Sequence, residues 1–575
     1  MIASLALVAS ALGTHGAGLP KVDAPAPKGP QDVFFVDASL ELEARLLNWR
    51  VVRGLGRKGS SARDLVLTLL LDDGSRELRL HDLTTAGVAK EPRVKVSIMQ
   101  DFTAWGVADV RQEAGLELLL FTGSKVWSYS LTHSGYRDNL QVLAETPLLF
   151  DVPSPWALPF WGYRLPRAGE PGAEPVLLPQ EEGLVLWSPE EEVEKRIRLA
   201  QDWFLIPVLT IFCSAPAIAQ GWDPHRLIRQ KVRLANQSRA QKGIPVYVRR
   251  HLVGGESADP HRDYVESHAA TRRYRNASDR NGPFMGSGGT SGTMLASSHG
   301  FDAPAVVDVD GDGRLDVLAL AEKELRVYLS ASRTPTRIEP IPDYMDPGEG
   351  RRRLILADAD GDRDIDLLVI MQAELQSLGK APARILVLIN DGKRLLPPKA
   401  TQVLKVEGTE LSLQVTDVNG DDRKDLVLRK FELPGVTEAI TGLKFQFTHL
   451  VFFGEGRAFA RKPAVKHEET YDESNLQDAV GNYELRADSS GDGVADLAAI
   501  GLEGRITLRR IQFRDGGFFR GDSWSLDPTA WKEFKTPGEV ASLRVQDLNG
   551  DGLGDLISGG ERRLTIQLTQ RRRGR

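Results

Sequence analysis

The densest chemistry in the chain lies in nine residues, Asp308-Val-Asp310-Gly-Asp312-Gly-Arg314-Leu-Asp316, which hold four carboxylates. Carboxylates packed that closely repel one another unless a cation sits among them. In a tight loop, side chains at positions 1, 3 and 5 can point to one centre. Position 7 can add its backbone carbonyl, and position 9 a further carboxylate. An all-oxygen shell of this kind suits Ca²⁺, whereas Mg²⁺ gives up its waters reluctantly.

The pattern returns four times. The second copy runs Asp358, Asp360, Asp362, Asp364, Asp366, and the third Asp417, Asn419, Asp421, Arg423, Asp425. The fourth runs Asp488, Ser490, Asp492, Val494, Asp496, and the fifth Asp547, Asn549, Asp551, Leu553, Asp555. Arg314, Asp364, Arg423, Val494 and Leu553 are the position-7 residues, expected to act through their carbonyls. The first two copies carry the most carboxylates and are expected to bind Ca²⁺ tightest, while Ser490 is a weaker ligand. Position 4 is glycine in every copy, which allows a positive φ at little cost. Position 6 is glycine in three copies but Arg363 and Asp422 in the other two, so those two loops are expected to differ in geometry. An EF-hand is excluded: position 12 is Ala319, Val369, Leu428, Ala499 or Ser558, never the required glutamate, and no helix pattern comes after it.

Each loop must be held by the segment behind it. Asp316-Val-Leu-Ala-Leu, Asp366-Leu-Leu-Val-Ile and their counterparts are short apolar runs bounded by turn residues, which predicts buried strands. Alternating stretches such as Leu325–Leu329 and Arg505–Arg509 predict the outer strands of the same sheets. First positions recur 50–71 residues apart, a period that suits one four-stranded propeller blade with variable loops. Weaker copies precede the strong ones. Asp109 to Glu117 keeps the frame but loses the middle ligands, and Asp64-Leu-Val-Leu keeps the last Asp and the strand. Fainter still are the segments at Glu174 and at 232–248. The fold class expected is all-β: a single β-propeller of seven or eight four-stranded blades with Asp-rich calcium loops, eight being the closer count. Degenerate blades are expected over 33–253, a Gly/Ser-rich loop insertion over 254–298 and calcium-loop blades over 299–570.

The Asp-x-Asp-Gly-Asp-Gly-x-x-Asp-Leu pattern resembles the FG-GAP/VCBS repeat family, whose calcium loops sit in β-propellers such as the integrin α-subunit head. The likeness is close over 301–560 and poor over 33–250. The Gly-Ala-Pro that comes after the loop strand in integrins is absent, so the bacterial VCBS-like branch is the nearer match. The resemblance implies a calcium-stabilised propeller that is secreted or surface-exposed. It implies no particular activity.

The chain has 575 residues, a formal net charge of −6 and 26 % charged residues, so it has no basic surplus for a nucleic acid. Its one cysteine, Cys213, rules out an internal disulfide. Residues 1–19 are apolar and fit a signal peptide, although a basic segment ahead of the run is missing, and 20–32 read as a Pro-rich linker. Trp203–Cys213 is apolar but short and holds Pro207, so core strands are expected there and not a membrane span. These features point to a secreted, periplasmic or cell-surface protein. No motif for a nucleophile elbow, phosphate loop or metal-protease helix is present. His251, His261 and His268 with Asp263 and Glu266 read as a polar loop, and Arg520-Gly-Asp522 as a chance match. Asn236 and Asn276 begin glycosylation sequons. The function expected is a non-catalytic, calcium-binding interaction or adhesion module with a protein or glycan ligand. The alternative is a secreted propeller enzyme acting on a polysaccharide.

Overall fold

The apolar runs behind the Asp loops are hydrophobic on both faces, so as strands they must be covered from both sides. The computed structural model describes residues 33–197 and 305–572, apart from several short segments, together with 293–296. It is all-β, with 59 % of the described residues in strands, and forms a 7-blade β-propeller arrangement of antiparallel sheets. Seven described sheets have four or five strands, and these are the blades.

Blade 1 comprises Arg45–Arg53, Arg63–Leu70, Arg76–Thr84 and Val94–Ile98. Blade 2 comprises Ala104–Ala108, Glu117–Phe121, Lys125–Tyr129 and Leu140–Glu145. Blade 3 comprises Ala305–Val307, Asp316–Leu320, Glu324–Tyr328 and Arg337–Pro340. Blade 4 comprises Arg351–Ala357, Asp366–Gln372, Ala381–Leu388 and Gln402–Gly408. Blade 5 comprises Glu410–Thr416, Asp425–Glu432, Lys444–Phe452 and Val465–Asp472. Blade 6 comprises Tyr483–Glu484, Leu497–Ile500, Arg505–Arg509 and Lys532–Lys535. Blade 7 takes Val540–Gln546, Asp555–Gly560 and Arg563–Arg571 from the C-terminal end and Val33–Asp37 from the N-terminal end. Val33 stands opposite Arg571 and Asp37 opposite Gln567, so this pairing joins the two ends of the described chain. A propeller leaves only short, protected sheet edges.

The eighth sheet expected from the faint box at Glu174 is present but short. Val176–Gln180, Gly183–Trp187 and Lys195–Ile197 form a three-stranded sheet outside the seven blades. It docks on blade 2, where the Trp161 indole N–H donates to the Leu177 carbonyl and the Asp109 N–H donates to Glu174. Within the expected insertion, Thr293–Ala296 is a strand on the inner edge of blade 4. The 1–32 leader and linker, the 232–248 copy, Trp203–Cys213, the histidine cluster at 251–268, both sequons and Arg520–Asp522 lie outside the described residues.

Six apolar layers among the described residues each join two neighbouring blades. Alternate residues of one strand serve opposite layers. Leu367, Val369 and Met371 pack toward blade 3, while Leu368 and Ile370 pack toward blade 5. This explains why the second strands read as continuous apolar runs and not as alternating ones. No described helix is long and apolar enough to cross a membrane.

Candidate metal centres

In blades 3 to 7 the Asp loop connects the innermost strand to the second, and position 9 is at or just before the start of the second strand. That position holds the loop together. One oxygen of Asp316, Asp366, Asp425, Asp496 and Asp555 accepts the backbone N–H of position 2 (Val309, Ala359, Val418, Ser489, Leu548) at 2.7–2.9 Å. In four loops the other oxygen reaches across the blade, accepting the N–H of Ser330, Asn390, Gly454 or Thr569 at 2.6–2.8 Å. The corresponding oxygen of Asp496 is buried and meets no donor among the described residues.

The remaining ligand positions turn the loop on itself. Position 1 accepts the N–H of positions 4 and 6: Asp358 from Gly361 and Arg363, Asp417 from Gly420 and Asp422, Asp488 from Gly491 and Gly493, Asp547 from Gly550 and Gly552. Position 5 accepts from position 7 in Asp362, Asp421, Asp492 and Asp551. The side chains of Val494 and Leu553 are buried, so only their main chain is available to a loop centre. Asn419 and Asn549 each accept the N–H of position 5 and donate an amide N–H to its carboxylate. Asp312 is described but Arg314 is not.

The expected divergence of the second and third copies does not occur. Arg363 and Asp422 adopt φ of 82° and 66°, beside 90° and 82° for Gly493 and Gly552. The reason is room: a Cβ at Gly493 or Gly552 would meet nothing within 4 Å. Position 4 differs. A Cβ on Gly420 would collide with the Gly493 carbonyl oxygen of the next loop. Neighbouring loops are stitched together elsewhere too. Ile365 N–H donates to Val309 O, Ala495 N–H to Val418 O and Gly554 N–H to Asp488 O.

In the first two loops, three carboxylate oxygens converge. One carboxylate oxygen from each of Asp308, Asp310 and Asp312 lies within 4.8 Å of the others, and so do those of Asp358, Asp360 and Asp366. The buried Oδ1 of Asp310 has no donor among the described residues. Hard anionic oxygens held this way fit Ca²⁺. Burial raises the position-9 carboxyls: Asp316 to about 6, Asp366 and Asp425 to about 7, Asp496 and Asp555 to about 8. Burial also raises Asp358, Asp360, Asp417 and Asp492.

The degenerate copies show how the frame persists with a built-in cation. In blade 2, Glu117 stands at position 9, takes the N–H of Val110 and Arg111, and is raised by burial to about 8. Arg111 occupies position 3, and its guanidinium turns to Ser128 at 2.7 and 2.8 Å. In blade 1, the buried Asp64 is paired with Arg93 at 2.8 Å. Among the described residues, cations stand beside two of the Asp-rich loops: Arg63 beside Asp547 at 3.8 Å and the exposed Arg457 beside Asp360 at 3.4 Å.

A family model described as an FG-GAP-like repeat matches residues 308–369, the stretch that spans the first two loops. No curated protein matches the chain. Among solved structures, the WD40 domain of SCAP from fission yeast is 8 % identical, with 93 % of this chain and 98 % of that chain covered at a TM-score of 0.33. The V. cholerae biofilm matrix protein Bap1 is 9 % identical, with 94 % and 92 % covered at a TM-score of 0.23.

This geometry has two measurable consequences. Arg363→Gly relieves a left-handed backbone and should raise stability by about 1 kcal/mol, whereas Gly420→Ala should lower it by more than that, both read by urea unfolding. Equal effects of the two changes would contradict the assigned roles of positions 4 and 6. In chelator, a carboxyl whose folded pKa lies above its unfolded value binds protons more tightly when folded. Stability should therefore rise as pH falls from about 8 towards about 5, and fall as pH rises through that window. In excess calcium the trend should flatten or reverse, because binding the ion needs the ionised form.

Proposed function

We propose that the chain is a calcium-stabilised propeller that works outside the cytosol as a non-catalytic interaction or adhesion module. The observation that carries this reading is the shared scaffold of the Asp loops. The position-9 anchor is common to all five, and the position-1 turn is repeated in four. Such loops gather several carboxylates, with Arg63 beside Asp547 and Arg457 beside Asp360 among the described residues, whereas the degenerate blades keep fewer carboxylates and set Arg93 or Arg111 near them. Asp308, Asp310, Asp312 and Asp316, and their counterparts in the other four copies, are the residues that would hold the ions, with Arg314, Asp364, Arg423, Val494 and Leu553 offering carbonyls. Calcium would supply the positive charge that fixes each loop. Because the loops hydrogen-bond to one another, occupancy would also stiffen the face they share. An extracellular or periplasmic setting, with abundant calcium, suits affinities of ~10⁻⁴–10⁻³ M.

The FG-GAP-like match and the propeller arrangement favour a binding role, since propellers of this kind present broad loop faces. A polysaccharide-cleaving enzyme is the competing reading. Glycan and protein arrays probed with the full chain in millimolar CaCl₂ and in EGTA separate the two. Calcium-dependent retention of a ligand whose length is unchanged after incubation is the expected result. A ligand shortened by the chain would replace the module with an enzyme, and retention indifferent to EGTA would remove calcium from the function.

A further inference from the structure

Away from the Asp loops, the innermost strands of blades 6, 7 and 1 bring three arginines to one place. Arg544 lies on Val540–Gln546, which pairs with Asp555–Gly560 on one edge and leaves its other edge to the ring's interior. Arg486 comes just after Tyr483–Glu484, and Arg50 lies on Arg45–Arg53. Between the first two sits Glu484. Its Oε2 is 2.9 Å from Arg486 Nε, and its Oε1 is 3.6 Å from Arg544 Nη1.

Two features set this group apart from a sealed structural triad. Glu484 has a side chain only 3 % exposed, yet Arg486 and Arg544 keep 26 % and 20 % of theirs open to solvent. Both arginine side chains are thus reachable by water beside a buried carboxylate. The pairing is also imperfect: Arg486 Nε and Glu484 Oε2 approach as an ion pair, but neither atom has an aligned hydrogen-bond partner among the described residues. A guanidinium offers five donors, and one shared carboxylate satisfies few of them. Burial pushes Arg544 down to about 10, Glu484 raises it, and the nearby Arg486 and Arg50 lower it further. Two guanidiniums on one carboxylate leave a net positive charge, which favours a second oxyanion.

We propose that this group binds an oxyanion, with Arg486 and Arg544 as its fork, and that its occupant is a carboxylate or sulfate group of an acidic saccharide. The inference deepens the module reading and rests on it. The test is calorimetry on the full chain in CaCl₂ with trigalacturonate, a sulfated oligosaccharide, neutral maltotriose and inorganic sulfate. Acidic probes should bind, more weakly as NaCl rises, and maltotriose should not. Arg544→Gln and Arg486→Gln should each weaken binding about tenfold or more, with Arg544→Lys in between because it keeps charge but loses the fork. Arg505→Gln, on an outer strand of blade 6, should change nothing. Melting curves identify any variant that fails to fold. For such a variant, competition between sulfate and a labelled trigalacturonate on the unmodified chain decides, and absence of competition counts against the site. Acidic probes that bind neither the chain nor its variants, or bind all of them equally, would overturn the proposal. A neutral glycan or a protein found on the arrays would leave the module reading intact while removing this one.

Discussion

In blades 3 to 7, one buried carboxylate per blade ties the Asp loop to its sheet. At position 9 it accepts the N–H that begins the Asp loop and, in four blades, a second N–H beyond the middle of the sheet. Hydrogen bonds to a charged acceptor contribute about 1.5–3 kcal/mol each. Each such carboxylate therefore joins the loop, the second strand and the end of the third into one unit. The same bonds fix where positions 1, 3 and 5 can point. Burying that charge opposes folding, and the raised pKa values of Asp316, Asp366, Asp425, Asp496 and Asp555 are its signature. A cation among the loop oxygens would offset the cost in blades 3 to 7, as Arg93 does beside Asp64 in blade 1.

That constraint accounts for features that otherwise look unrelated. Position 4 must be glycine where the next loop leans against it, as Gly493 does on Gly420, while position 6 faces open space and tolerates Arg363 and Asp422. Contacts between neighbouring loops carry the effect around one face of the ring. The apolar layers between blades are continuous with this arrangement, because the residues just after position 9 are the ones that alternate between adjacent layers.

Much of this was legible in the residues themselves. The spacing of carboxylates in Asp358–Asp366, the absence of a glutamate at position 12 and the short apolar runs behind each loop were enough to predict strands and a propeller. The frame of Asp109–Glu117 was visible for the same reason. The blade count was not, because Glu174-Pro-Val-Leu-Leu reads like any other loop strand although it opens only a three-stranded sheet. Nor was the second bond of the position-9 carboxylate. Its donors, Ser330, Asn390, Gly454 and Thr569, share no residue type, and the contact is made through backbone N–H groups. The Arg486–Glu484–Arg544 group was hidden too, since its members come from different blades and meet only in the closed ring.

Thermal unfolding of the full chain in excess EGTA and in millimolar CaCl₂, beside Asp308→Ala/Asp358→Ala, tests the central claim most directly. If the loops seat calcium, the melting temperature rises with CaCl₂ by mass action and the rise shrinks in the double variant. An identical melting temperature in EGTA and CaCl₂ would mean that the buried carboxylates are carried without a metal, and would contradict calcium as the cation that holds the loops.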